Sequence, residues 1–365
     1  MSAADLTTLP PARPSQRRLL RGTAWLGLRQ DRTPLLIAGA SVVLLCGWLL
    51  YLGSRISGFV EEQHIQGCNV VYFPESCKAL TDQAIALDMK WGVAVTVTGW
   101  LLAVLPVAFG VFYAAPLLAR EFETGTYALA WTQSVSRLRW LTSRLGLPML
   151  LTLVGSCLLG VVSTWWGGLV EGRFAVPGYY HWFTWMSRSS SGPSIVGFCL
   201  LSVALGAAVG LVLRRVVASI VVTAVLTLAV RFAVDAGRYL LAPVQEVVGS
   251  VRMAAPGAPD RMITVTTGHL PTVTPLESDV VQNGLLTNDG RRLPVPSDFV
   301  NILPDGALEC PVTECKEQYQ SIERAYTLFH PPGDEWVMHW TQAGLSLAVT
   351  AALLVFCAVW VRRVR

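Results

Sequence analysis

Five stretches of the chain run for 19 or more residues without Asp, Glu, Lys or Arg. A helix needs about 20 apolar residues to cross ~30 Å of hydrocarbon. Only 14% of the 365 residues are charged, which is fewer than a soluble domain usually carries. One such run alone could be a buried core helix of a soluble protein, but five argue against that alternative. A sixth run is apolar as far as Val230 and then meets Arg231, Asp235 and Arg238.

The pattern therefore predicts an all-α integral membrane protein with six transmembrane helices. The expected spans are residues 34–52, 91–119, 145–170, 194–213, 216–242 and 340–361.

The connections between the spans alternate in charge. Those on one side hold 15 basic and 4 acidic residues, and those on the other hold 11 basic and 19 acidic residues. Basic residues near span ends resist translocation, so we expect the basic side, with both termini, to be cytoplasmic. The basic side comprises residues 1–33, 120–144, 214–215 and 362–365, and the expected extracellular segments are residues 53–90, 171–193 and 243–339.

Two of these segments are long enough to have structure of their own. Within the basic N-terminal segment 1–33, residues 15–32 carry arginines on one arc and are expected to form an amphipathic helix on the membrane surface, with an unstructured basic tail as the alternative. They do not fit a cleaved signal peptide, because the first apolar run is full length. In the large segment 243–339 we expect a small ordered cap, with a strand-like stretch at Met262–Thr267 and a helix from Glu314 to Phe329.

The eight cysteines fall into two groups. Four lie within the spans, and the other four form two close pairs in the expected outer segments. Because the extracellular environment is oxidising, two disulfides are expected there, with a zinc site as the alternative. The pairs are Cys68 with Cys77 and Cys310 with Cys315.

Two spans carry residues that could matter for packing or charge. Ser202, Gly206 and Gly210 place a small residue at every fourth position of the fourth span, which would let another helix approach closely. In the fifth span Arg231 and Asp235 are i,i+4 neighbours. We expect them to pair and to snorkel to the outer interface, and a functional buried ion pair is the alternative.

The motifs of several catalytic classes are missing from the sequence. It contains no GxxxxGK[ST] loop for nucleotide phosphates, no HExxH and no GxSxG. No ionisable group that could couple transport to protons or sodium is evident near the middle of a span. We therefore expect no enzyme activity and no cofactor in this chain, and energy for any uphill transport would have to come from a partner.

The stretch Pro116–Arg144 is the most informative part of the sequence. Several charged residues follow directly after the second expected span, and Gly125 is expected to end the helix there. Tyr127 and Trp131 lie between this charged group and the arginines that precede the third span. An ordinary solvated loop has little reason to carry such aromatic residues, whereas a docking surface does.

This stretch resembles the RE-x-E-x-GT … S-x-SR loop of type-2 ABC exporter permeases, the membrane subunits of ATP-binding-cassette transporters. Six spans, cytoplasmic termini, an amphipathic N-terminal helix and a large outer segment before the last span also match that family, and the Arg-rich, Lys-poor composition resembles actinobacterial members. The first outer loop is longer than in minimal members. The matching positions are Arg120, Glu121, Glu123, Gly125, Thr126, Ser134, Ser136 and Arg137.

The resemblance implies a bacterial plasma-membrane permease that moves a lipophilic or amphipathic compound outwards. The loop would couple transport to a separate ATPase subunit, through residues that include Tyr127 and Trp131. ATP and magnesium would bind that ATPase, and a second permease copy would complete the transporter in the lipid bilayer; no nucleic acid is expected as a partner. The alternative from a different class is a membrane-anchored sensor or scaffold whose outer segments bind a ligand.

Overall fold

Six helices in the described part of the chain are long and apolar enough to cross a membrane. The computed structural model describes residues 32–65, 79–127, 136–171, 173–174, 190–250, 278–294, 301–302, 308–309 and 324–363. The helices are α1 (Arg32–Glu62), α2 (Thr81–Ala108), α3 (Ala115–Glu123), α4 (Arg137–Val170), α5 (Gly192–Leu213), α6 (Val216–Ala236) and α7 (Glu335–Arg363).

The second candidate span is built from three pieces. A π-helical segment, Phe109–Ala114, joins α2 to α3, so that the helix continues for 43 residues from Thr81 to Glu123. Several helices run well past the charge-free stretches of sequence, because hydrophobicity marks only the part suited to lipid while the helical hydrogen bonds continue beyond it. Helix α6 ends earlier than the apolar run, at Ala236, and a 3₁₀ turn at Arg238–Leu240 follows.

Helix α5 lies at the centre of the bundle and is buried along most of its length. Its glycines meet the backbone of the second span directly. A Cβ atom added at Gly206 would lie 2.4 Å from the Gly110 carbonyl oxygen, and one added at Gly210 would lie 2.6 Å from the Ala115 carbonyl oxygen. A Cβ at Gly110 would in turn lie 2.6 Å from the Ser202 carbonyl oxygen. The small residues at these positions therefore set the distance between the two helices.

The other end of α5 is fixed to α7. The Ser194 hydroxyl lies 2.8 Å from Nδ1 of His339, and both side chains are buried. A Cβ at Gly197 would lie 3.0 Å from the Cα atom of Ala343, so these two helices also approach closely. Contacts with α2, α3, α4, α6 and α7 make α5 the common neighbour of the helices.

A β-sheet lies between α6 and α7 along the chain. The strands are β1 (Gln245–Ser250), β2 (Asp279–Leu286), β3 (Arg292–Pro294), β4 (Asn301–Ile302), β5 (Leu308–Glu309) and β6 (Arg324–His330). Four of them form an antiparallel sheet with the order β1-β6-β2-β3, and β4 and β5 pair separately. Arg238 donates to the Val280 carbonyl oxygen at 3.3 Å, which ties the sheet to the end of α6.

The sheet corrects two expectations from the sequence. The chain is mostly helical but not all-α, and the helix expected from Glu314 to Phe329 is wrong over its last part, where β6 forms an inner strand of the sheet. The helical spacing of Tyr326 and Phe329 suggested one face of a helix. Aromatic and β-branched residues also favour strands, and β6 pairs on both sides, with β1 and with β2. The sequence does not reveal those partners.

Arg231 is also placed differently from the expectation. Its side chain does not snorkel to the surface, because the residue is only 7% exposed and its guanidinium donates to the Ala103 carbonyl oxygen at 3.0 Å. The guanidinium carbon lies 6.0 Å from the centre of the Phe198 ring. A buried cation inside the bundle replaces the interfacial one that hydropathy suggested.

Some expectations fall on residues outside the described part of the chain. These are the amphipathic helix within residues 1–33, except for its end at Arg32, the strand-like stretch Met262–Thr267, and all four cysteines of the expected disulfides, Cys68, Cys77, Cys310 and Cys315.

The contact between α5 and the second span generates a stability prediction. Replacing Gly206 with alanine should destabilise the protein by about 1–3 kcal/mol, because the new methyl group must push the two backbones apart. The measurement is the thermal unfolding midpoint of the purified protein in a non-ionic detergent.

Gly39→Ala is the matched control. Gly39 is an exposed helical glycine with no atom within 4 Å of an added Cβ. The same substitution there should leave stability unchanged or raise it slightly, since alanine favours a helix over glycine. Equal midpoints for the two variants would contradict the proposed role of the helix contact.

Candidate functional site

The end of α3 and the start of α4 carry most of the residues that the sequence singles out. Glu121 forms an ion pair with Arg144 of α4, and both side chains are largely buried. Glu123 is exposed, and its Oε2 accepts a hydrogen bond of 2.9 Å from the backbone N–H of Val216, the first residue of α6. A carboxylate at this position also interacts favourably with the positive end of the helix dipole. The two acids thus join the end of the second span to the third and fifth spans.

Phe122, between the two acids, is the centre of a buried aromatic cluster. Its ring lies 4.6 Å from the ring of Tyr127 and 6.0 Å, edge to face, from that of Trp140. The guanidinium carbon of Arg214 lies 5.4 Å from the centre of the same ring. Arg214 ends α5 in the left-handed conformation, with φ 54°, so the turn between α5 and α6 packs against this cluster. Apolar residues of α5 and α7, among them Leu211 and Val361, complete it.

The chain leaves α3 through a tight turn. Gly125 has φ 72°, a conformation that glycine adopts without steric cost, and its N–H donates to the Phe122 carbonyl oxygen at 3.4 Å. The Thr124 hydroxyl donates to the Arg120 carbonyl oxygen at 2.8 Å and lies 3.1 Å from the Thr126 hydroxyl. Arg120 and residues 123–126 are exposed, so this turn presents an accessible polar surface.

The return of the chain into α4 is also fixed. Ser136 is the N-cap of α4, and its hydroxyl accepts a hydrogen bond of 3.4 Å from the Arg139 N–H. Arg137 donates to the carbonyl oxygen of Arg362 at 3.3 Å, which adds a contact with the last turn of α7. The sequence predicted both residues as parts of this site. In the structure Ser136 caps the start of α4, and Arg137 contacts the end of α7. Trp131 and Ser134 lie outside the described residues.

The acids of this site have partners within the chain. Glu121 and Glu123, which the resemblance places in a loop that contacts another protein, bind Arg144 and the start of α6. Sequence reasoning also missed Phe122, Trp140 and Arg214. The signal available was the phenylalanine between two acids, since a large apolar residue in that position needs a buried contact.

The predicted packing residues lie in the same bundle. Gly210 is one turn from the end of α5, and Ser202, Gly206 and Gly210 face the π-helical segment and the start of α3. The close helix contact therefore leads directly to the ion pair and the aromatic cluster at the end of α3.

The buried ion pair generates a prediction about stability. Glu121→Gln should destabilise the protein by about 3 kcal/mol or more, because the largely buried Arg144 guanidinium loses this carboxylate. Arg144→Gln should have a similar effect, and the double variant should lose clearly less than the sum of the two. Thermal unfolding of the four proteins measures the coupling.

Glu62→Gln at the exposed end of α1 is the control and should change stability by no more than about 0.5 kcal/mol. Additive losses for Glu121→Gln and Arg144→Gln would show that the pair has no energetic coupling.

The comparisons with known proteins point in one direction. A family model described as "ABC-2 membrane transporter related" matches residues 39–238, which is more than half of the chain. The match covers most of the first candidate span, all of the second to fifth, and every part of the site at the end of α3 except its contacts with α7. No curated protein and no solved structure matches the chain. With this family match and six candidate membrane-spanning helices, the chain belongs to the ABC-2 membrane transporter related family.

Proposed function

We propose that this protein is the permease subunit of an ABC exporter, driven by a separate ATPase subunit that binds ATP and magnesium. The family supports a membrane subunit of an ABC transporter, a kind of protein that generally pairs with an ABC ATPase and is not itself an enzyme. The proposal adds the direction of transport, a lipophilic or amphipathic substrate, a second permease copy and a bacterial plasma membrane with both termini in the cytoplasm.

The observation that carries the proposal is the set of contacts around Glu121–Glu123. The segment contacts α4 through Arg144, α6 through the Val216 N–H, and the α5–α6 turn through Arg214. A force applied at the exposed turn after α3 would therefore reach three further helices at once. An ATPase that closes on ATP could use this segment to change the arrangement of the spans.

In this mechanism docking and transmission use different residues. Arg120, the exposed turn at residues 124–125 and Trp131 would contact the ATPase, since aromatic side chains often anchor such interfaces. Glu121, Glu123 and Phe122 would transmit the movement, because their contacts lie within the permease. The roles of Thr126, Tyr127, Ser134, Ser136 and Arg137 would be to shape the segment.

This division predicts two different defects in the complex purified with its ATPase. Trp131→Ala should release the ATPase, because an interface anchor typically contributes 2 kcal/mol or more, about a 30-fold loss in affinity. Glu123→Gln should keep the ATPase bound but lower substrate-stimulated ATP hydrolysis and transport, since the neutral amide caps α6 less well. Co-purification and ATP hydrolysis in proteoliposomes measure the two effects.

Glu62→Gln again serves as the control and should retain both properties. Wild-type association and transport in both Trp131→Ala and Glu123→Gln would refute the coupling role of this segment. That result would favour a sensor or scaffold, whose outer segments bind a ligand without ATP-driven transport.

The proposed orientation has its own test. The turn between β2 and β3 is exposed at residues 288–290 and is closed by a 3.0 Å hydrogen bond from the Thr287 N–H to the Arg291 carbonyl oxygen. A reporter inserted after Asn288 should therefore be tolerated and should be active only outside the cell. A reporter fused after Arg365 should be active only in the cytoplasm.

Reversed reporter activities would overturn the orientation. They would also remove the reason to expect disulfides between Cys68 and Cys77 and between Cys310 and Cys315, since those pairs would then face a reducing compartment.

A further inference from the structure

A cavity of about 260 Å³ lies between α2, α6 and α7, in the half of the bundle nearer the sheet. Its walls are mostly apolar and come from α2 and α6. Three of its lining residues, Arg231, Asp235 and Gln342, are polar or charged. An arginine and an acid in the wall of an apolar cavity within spans are unusual, because charged groups at such depth are costly and tend to mark functional sites.

Two of these three polar or charged residues are buried. Arg231 and Gln342 are 7% and 1% exposed, respectively. The Gln342 Oε1 atom has no hydrogen-bond partner among the described residues. A buried amide oxygen without a partner costs roughly 1–3 kcal/mol. A rotation of the side chain towards the cavity that Gln342 lines would let this oxygen accept a hydrogen bond from a bound molecule.

The apolar residues at the mouth face the outside of the helix bundle. Trp100, Val104 and Phe232 line the cavity and are exposed by about half or more of their surface. The cavity thus opens sideways, between α2 and α6, towards the surface that lipid would cover. A molecule can enter from that side with its polar end first and leave an apolar chain against these three residues.

The size of the cavity limits what it can hold. Pockets that enclose a whole drug-sized ligand usually measure about 300–1,000 Å³. A volume near 260 Å³ therefore fits a polar head group and the first part of a chain, and the rest of the chain would stay at the open side.

The charges determine which head group fits. Arg231 and Asp235 are i,i+4 neighbours on α6, and both line the cavity, so their formal charges cancel. An anionic head group alone would be repelled by Asp235, and a cationic one by Arg231. A zwitterionic head group can satisfy both, with its anion at the guanidinium and its cation at the carboxylate.

The buried face of α6 continues the polar environment away from the cavity. Its four buried residues are all polar and occur at four-residue intervals: Ser219, Thr223, Thr227 and Arg231. The hydroxyl oxygens of Thr223 and Thr227 have no hydrogen-bond partner in the part of the chain that the structure describes. These polar groups lie along the interior between the cavity and the Glu123 end of α6.

We propose that this cavity binds the zwitterionic head group of an amphipathic molecule, with Arg231, Asp235 and Gln342 as its polar contacts. The identification of that molecule as the exported substrate rests on the proposed function, whereas the binding itself does not. The head group could belong to a transported single-chain amphipath or to a phospholipid of the bilayer, which share this chemistry.

The test measures binding to the purified chain without any ATPase, so that it is independent of coupling. Three probes share a dodecyl chain and differ in the head group: dodecylphosphocholine, dodecyl phosphate and dodecyltrimethylammonium. In a maltoside detergent, native mass spectrometry should show that the zwitterion binds at least about 10-fold more tightly than the other two, the factor that 1.4 kcal/mol produces.

The decisive variant is Asp235→Asn, which leaves the cavity with a net positive charge. The preference should change from dodecylphosphocholine to dodecyl phosphate, by about 10-fold or more. Asp334→Asn, which removes an acid from the segment just before α7 and outside the cavity, is the matched control and should keep the wild-type preference.

Gln342→Leu provides a second variant if Asp235→Asn does not fold. Leucine is nearly the same size as glutamine, and the substitution removes a buried amide oxygen that has no partner among the described residues. The unliganded variant should therefore be as stable as the wild-type protein, while its binding of dodecylphosphocholine falls. Equal binding of the three probes to the wild-type protein, an unchanged preference in Asp235→Asn, or unchanged binding of dodecylphosphocholine in Gln342→Leu would overturn the proposal.

A displacement experiment distinguishes the two possible sources of the head group, bilayer phospholipid and a single-chain amphipath. Displacement of dodecylphosphocholine by a two-chain phosphatidylcholine in nanodiscs would assign the site to bilayer lipid, and failure to displace it would assign the site to a single-chain amphipath. A confirmed site in a protein that shows no ATP-driven transport would refute the exporter and leave the binding inference standing.

Discussion

The contact of α5 with the second span is the constraint on which the rest of the bundle depends. Gly206 and Gly210 on α5, with Gly110 on the other helix, bring backbone atoms so close that no Cβ fits without a shift. In a membrane the packing of small residues takes the place of the hydrophobic effect between helices, because lipid chains are as apolar as leucine. This contact places α3, and with it Glu121–Glu123, beside the turn between α5 and α6.

The segment at the end of α3 then acquires its contacts from that placement. The ion pair from Glu121 to Arg144 and the cap from Glu123 to Val216 each need a helix end that the sequence places far away. Buried ion pairs contribute little net stability but are costly to break, so they fix one arrangement of their helices. Such an arrangement suits the proposed coupling role of this segment, in which it would move as a unit.

The two halves of the bundle have different chemistry. The end near Glu121 is stabilised by an ion pair and by packed aromatic rings. The half near the sheet contains a cavity lined by the buried Arg231. Helix α6 belongs to both, since its first residue binds Glu123 and its buried face leads through polar residues to the cavity. A change at the start of α6 could therefore alter the cavity, which gives the coupling proposal and the binding proposal a common structural element.

The sequence by itself determined the class of protein and the approximate positions of its spans. Charge-free runs of membrane length depend only on the local cost of placing charges in hydrocarbon, so each could be read without knowing its neighbours. The motif around Glu121 and Glu123 was equally local. The spacing of Ser202, Gly206 and Gly210 indicated a close helix contact, although the sequence did not name the partner helix.

The tertiary structure decided everything that depends on a partner distant in the chain. Tyr326 and Phe329 fitted a helical face, yet they lie in β6 because strands on both sides supply its hydrogen bonds. Arg231 fitted a snorkelling residue, yet it is buried because the Ala103 carbonyl oxygen and the Phe198 ring lie within reach. Glu121 and Glu123 fitted a docking surface, yet they bind Arg144 and Val216. In each case local pattern set what the residue could do, and the neighbours that folding brought together selected one outcome.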